Sequence, residues 1–262
     1  MTMTTALRLA ACQSNAGGDW VANLERVRAD ARAAAEGGAR VAVFPEASMA
    51  CFGSDLRALC QPLDGPFATG VRDVAAETGL LIVAGMFTPS GDGRVHNTLL
   101  VTGAGVETRY DKIHLFDAFG SRESDTVAPG DSLVTFSAFG TTFGLATCFD
   151  LRFSGQFTEL GRRGAEIVLV PASWGEGPGK AEQWDLLVRA RAMDAQAWLL
   201  ACDQAWTAPS GTDPLGIGRS ACIDPLGGVR ARLAAGEGIL LADVEPTLVA
   251  DVRARVPVLR RP

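Results

Sequence analysis

The chain has 262 residues, 47% of them apolar, enough to bury a large core as one big domain or two small ones. A formal net charge of −6 without a basic stripe argues against a nucleic-acid partner, and no run approaches the roughly 20 apolar residues that span a bilayer. The start, Met1 to Thr5, lacks the basic residues of a secretory leader, and six dispersed cysteines form no C-x-x-C pair; a cytoplasmic protein with reduced thiols is expected.

In chain order, Leu7 to Cys12 predicts a strand, and Val21, Leu24, Val27, Ala31 and Ala34 recur at helical spacing up to Gly37-Gly38. Arg40 to Phe44 is a short, mostly apolar run of the kind covered on both faces, closed by Pro45 with Glu46 directly after. A helix follows over Pro66 to Thr78 and a strand over Leu80 to Met86. Val95 to Tyr110 predicts a hairpin turning at Gly103-Ala104-Gly105. The irregular stretch from Asp111 to Asp131 is too long for a compact domain unless it serves a site.

The second half repeats the rhythm. A strand at Thr142 to Thr147 precedes a helix near Ser154 to Gly164, a strand at Ile167 to Pro171, a helix over Ala181 to Ala197 and a strand at Trp198 to Cys202. Two or three strands lie between Arg219 and Val244, and Val249 to Val258 reads as a short helix with an extended tail. Alternation without a compositional break predicts one α/β domain over residues 1–262, with some parallel pairing and a late antiparallel cluster. The Ala181–Ala197 helix carries two apolar stripes, one through Trp184, Leu187, Val188, Ala192 and Ala195, the other through Leu186, Ala190, Met193 and Ala197. One is expected to face the sheet, the other either a second subunit or more of its own domain.

Three residues stand out chemically. Cys148 lies between a strand and a helix start, where a nucleophile is held out from the sheet beside backbone N–H groups; a buried structural thiol is the alternative. Glu46 ends a buried strand, where α/β clefts form, and burial would raise its pKa towards that of a general base; an exposed loop glutamate is the alternative. Lys112 sits among apolar and aromatic neighbours, so its ammonium needs a partner such as Glu123, unless it is a solvated surface lysine. With two histidines, no metal-binding spacing arises. His114 or His96 could serve Cys148 as a base, but both read first as structural hydrogen-bonders.

Together, Phe44-Pro45-Glu46, Asp111-Lys112-Ile113-His114-Leu115-Phe116-Asp117 and Cys148-Phe149-Asp150-Leu151-Arg152-Phe153 resemble the nitrilase superfamily of carbon–nitrogen hydrolases, in that family's order. Gly164-Ala165-Glu166, Pro171-Ala172-Ser173-Trp174, Arg189-Ala190-Arg191-Ala192 and Asp224-Pro225-Leu226-Gly227 extend the resemblance over nearly the whole chain. It implies a four-layer αββα sandwich, two mixed sheets flanked by helices with one sheet from each half, and dimers formed through helices. It also implies Cys148 as nucleophile, Glu46 as general base, Lys112 as oxyanion stabiliser and Glu123 as the glutamate that orients the lysine, with no cofactor or metal. One departure is Ser154-Gly155, where many members have proline and glutamate.

The stretches around Phe116 and Trp174 look like the deaminated-glutathione amidase branch, close to omega-amidase. That resemblance implies a small anionic 2-oxo amide, cleaved through a cysteine thioester. The Phe149 N–H would assist the oxyanion, Arg152 would supply a cation and Trp174 a wall. Competing expectations are an omega-amidase or aliphatic amidase of other specificity, a Cys–His enzyme of the thiol protease type, and a catalytically silent binding or regulatory protein of the same fold.

Overall fold

Two apolar runs, Leu9-Ala10-Ala11-Cys12 and Val41-Ala42-Val43, are buried on both sides and lie side by side in parallel. Around them the computed structural model describes residues 6–208 and 215–260; the start at residues 1–5 lies outside them. The first part of the chain forms β1 (Leu7–Gln13), α1 (Trp20–Glu36), β2 (Val41–Val43), α2 (Leu56–Leu59), α3 (Pro66–Thr78), β3 (Leu81–Pro89), β4 (Val95–Gly103) and β5 (Val106–Asp111). The rest forms β6 (Thr135–Ala138), β7 (Thr141–Leu145), α4 (Ser154–Arg162), β8 (Ile167–Ala172), α5 (Lys180–Ala195), β9 (Trp198–Asp203), β10 (Ala221–Ile223), β11 (Val229–Arg232), β12 (Gly238–Val244) and α6 (Thr247–Arg255).

The strands make two six-stranded sheets, ordered β12-β1-β2-β3-β4-β5 and β11-β10-β9-β8-β7-β6. Each is parallel at its centre, through β1-β2-β3 and β7-β8-β9, and antiparallel at its flanks. Side chains alternate between the layers, as the two-residue strand period requires. Leu9, Val41 and Val43 meet Phe143, Leu145, Ile167 and Leu169 between the sheets. On the outer faces, Ala10, Cys12 and Ala42 pack on Leu24, Val27 and Val71 of α1 and α3, and Val168 and Val170 pack on Phe157, Trp184 and Val188 of α4 and α5. This is the four-layer αββα arrangement.

Two expectations need correction. The sheets do not divide cleanly between the halves, because β12 crosses back and pairs with β1. A strand's alternation reports that one face is buried, not which sheet it joins. The short elements α2 and β6 had no counterpart among the predicted elements, since four residues are too few to display a period. On α5, Trp184, Val188, Ala192 and Ala195 are buried, whereas Leu186 and Met193 are 67% and 53% exposed. The second stripe is therefore split: Leu186 and Met193 face outward, Ala190 is half-buried, and Ala197, just past the helix end, is buried in its own domain.

Candidate active site

The carboxyl ends of β2, β5, β7 and β8 converge where the two sheets meet, and each delivers one piece of the site directly after its last residues. Glu46 follows β2. Its peptide passes so close over β3 that a Cβ on Gly85 would lie 2.5 Å from the Ala47 nitrogen and 2.8 Å from the Pro45 oxygen. Glu46 is fully buried, and three donors reach it: Lys112 Nζ at 2.8 Å and Asn97 Nδ2 at 2.7 Å on Oε1, and the Ser173 N–H at 2.9 Å on Oε2.

Lys112 follows β5 and donates to Glu123 as well, at 3.2 and 2.9 Å. With its side chain 2% exposed, an ammonium there survives only through these carboxylates. Burial alone would push its pKa down; Glu46 and then Glu123 outweigh that and raise it far above the ordinary lysine value. Glu46 is raised in turn, by burial first, against the pull of Lys112 and with the help of Glu123. Glu123, in a short 3-10 turn within the irregular segment, is fixed by the Phe116 N–H at 2.6 Å and by Asn97 at 3.3 Å.

Cys148 opens a 3-10 turn (Cys148–Arg152) just past β7 with φ at 45°, a left-handed conformation unusual for a side chain of this kind. The turn is secured by Asp150, whose carboxylate accepts the Thr147 N–H at 2.8 Å, the Tyr110 hydroxyl at 2.6 Å and the His114 ring nitrogen at 2.8 Å. The Cys148 thiol points at the Ser173 carbonyl, 3.7 Å away, and neighbours Glu46. Burial, and then the Glu46 charge, push its pKa well up, with Lys112 opposing. A neutral thiol thus rests beside a buried carboxylate, an arrangement in which proton transfer can accompany attack. His114 is engaged by Asp150 and stacked on Phe153 at 3.6 Å between ring centroids, and His96 faces the Ala128 carbonyl. Neither is a base for Cys148.

Glu46, Lys112, Glu123 and Cys148 all line one cleft of about 850 Å³, with Phe149 and Trp174 on its walls. Arg152 is not on that surface. Its guanidinium is 5.1 Å from the Trp174 ring centroid, 5.6 Å from that of Phe149 and 6.0 Å from that of Phe119, and it donates to Gln183 at 2.6 Å. The cation that does face the cleft from this side is Lys180. Among the described residues, no group of three or more His, Cys, Asp or Glu side chains is placed to hold a metal ion, and no helix is long and apolar enough to cross a membrane.

The sequence pattern of the carbon–nitrogen hydrolases matches residues 8–254. The chain belongs to that family. A protein of Mycobacterium tuberculosis strain H37Rv, named only as a hydrolase, is 46% identical over 97% of this carbon–nitrogen hydrolase and 95% of its own length. The deaminated glutathione amidase of Escherichia coli O157:H7 is 34% identical over 92% of this chain and 91% of its own. Saccharomyces cerevisiae Nit3, a member of branch 10 of the nitrilase superfamily, superposes with a TM-score of 0.86 at 25% identity, covering 98% of this chain and 96% of that one. The expected nitrilase fold and family membership hold.

Sequence reasoning missed several parts of this hydrolase's site. Asn97 bridges the two glutamates; it lies in a polar triplet, His96-Asn97-Thr98, of the predicted hairpin, and nothing in that triplet singles it out. Ser173 contributes only backbone atoms, for which a side-chain pattern carries no signal. Asp203, at the end of β9 and fully buried, accepts the Trp174 N–H at 2.7 Å and the Ile217 N–H at 2.9 Å, fixing the wall that carries Trp174.

Proposed function

We propose that the protein hydrolyses a small amide through a thioester on Cys148, with a 2-oxo amide such as deaminated glutathione as substrate. The observation that carries the reading is the meeting of one sulfur, one ammonium and two carboxylates on the wall of a single deep cleft. Cys148 attacks the amide carbonyl as Glu46 takes the thiol proton. The oxyanion is met by the Lys112 ammonium and by the Phe149 N–H, which is second in its turn and has no intrahelical acceptor. Glu46 returns the proton to the departing amine, then activates water to cleave the thioester, and the free thiol is restored. Glu123 and Asn97 hold Lys112 and Glu46 in place throughout. No cofactor enters this scheme.

The substrate preference draws on the likeness to the deaminated glutathione amidase; omega-amidase or aliphatic amidase activity is the neighbouring alternative. A catalytically silent binding protein is disfavoured because the whole reactive set is present. The whole chain is read as one domain acting in the cytoplasm, where its thiols stay reduced. The exposed Leu186 and Met193 of α5, with Leu226 58% exposed nearby, fit a face covered by a second copy.

Ammonia or amine release from a panel of 2-oxo amides, aliphatic amides and nitriles tests the reading. Amides are expected to be turned over, and Cys148→Ala to lose about a thousandfold or more of kcat. Turnover of nitriles alone, or a Cys148→Ala protein that stays active, would contradict it.

A further inference from the structure

Lys180 differs from Lys112 in every respect that matters to a charge. Its ammonium sits in a box of aromatic rings, 4.7 Å from the Trp174 centroid, 5.2 Å from Phe116 and 5.5 Å from Phe119. Among the described residues it has neither an ion pair nor a hydrogen bond, and burial lowers its pKa below the ordinary lysine value. Two further features press against it. It is the first residue of α5, where the positive end of the helix dipole opposes a cation, and the Arg152 guanidinium adds like charge nearby. The rings stabilise the ammonium in part and the Asp203 charge favours it from a distance, but among the described residues no anion contacts it.

The opposite side of the cleft has the reverse balance. Glu46 and Glu123 bring two negative charges against the single positive charge of Lys112, so an anionic group is repelled from the catalytic end. Arg122 at the mouth is 73% exposed and near Asp125, where solvent screens it. Among the described residues, the cleft therefore favours a negative group at the ammonium of Lys180 and an amide carbonyl at a different place, between Cys148 and Lys112. An amide carrying both groups would be oriented by this polarity.

We propose that Lys180 is the carboxylate receptor of the cleft, and that its substrates are amides bearing a second, anionic group. The proposal rests on the amidase reading above and names the residue that selects the substrate class. Succinamate and butyramide have the same chain length and differ in the carboxylate, so they separate charge recognition from general binding. The wild-type protein favours succinamate. Lys180→Met costs succinamate at least about tenfold more in kcat/KM than it costs butyramide, mainly through KM, and Lys180→Arg recovers part of the difference. Thermal melts of both variants check that they fold. Equal losses on the two amides, or no preference for succinamate in the wild type, would overturn the proposal while leaving the amidase reading standing. Absence of any turnover together with absence of an acyl group on Cys148 would overturn both.

Discussion

Lys112 touches Glu46 and Glu123 at once, and its removal leaves two buried carboxylates facing each other without a cation. Lys112→Met keeps much of the volume but not the charge. Its kcat is expected to fall by roughly a hundredfold or more, and its stability by about 3–5 kcal/mol, read from steady-state rates below the melting transition and from denaturant unfolding. Near-normal turnover in a folded variant would take the lysine out of the reaction. At this scale the motifs around Glu46, Lys112 and Cys148 were legible because each combines a reactive residue with a strand end. Glu123 was legible as a possible partner for the Lys112 ammonium, and its role in orienting the lysine followed only from the resemblance. Asn97 was not legible, since nothing in Val95 to Val101 says which side of the hairpin strand faces a site. Arg152 and Lys180 show the same limit. Both are cations within about 5 Å of the Trp174 ring, and only the folded arrangement shows that Lys180 lines the cleft.

The elements were legible where a period could develop. α1, α3, α5 and the β4–β5 hairpin fall close to their predicted spans, and the irregular segment from Asp111 to Asp131 does carry a site residue, Glu123. What stayed hidden were contacts between elements. Gly85 is the clearest case: within β3 it looks like a weakness in a strand, yet it is the space through which the peptide of Glu46 passes. Gly85→Ala forces backbone apart on both sides. A loss of about 1–3 kcal/mol is expected by calorimetry, accompanied by a fall in kcat as Glu46 is displaced. An alanine variant with unchanged melting and unchanged turnover would show that the passage is looser than the distances require.

Across the whole molecule, two six-stranded sheets are packed so that the carboxyl ends of their parallel strands open into one cleft. The first sheet supplies the two acids' scaffold and the lysine; the second supplies the sulfur, the Ser173 backbone and the aromatic wall. Alternation of strands and helices made the α/β class legible, but the crossing of β12 into the first sheet is a long-range pairing with no local signature. The most direct test of this arrangement is the intact mass of the protein quenched in acid during amide turnover, followed by peptide mapping. One acyl group on Cys148, and none on the other five cysteines, is the expected result. Turnover without an acyl adduct, or an adduct elsewhere in a chain that stays active as Cys148→Ala, would contradict it.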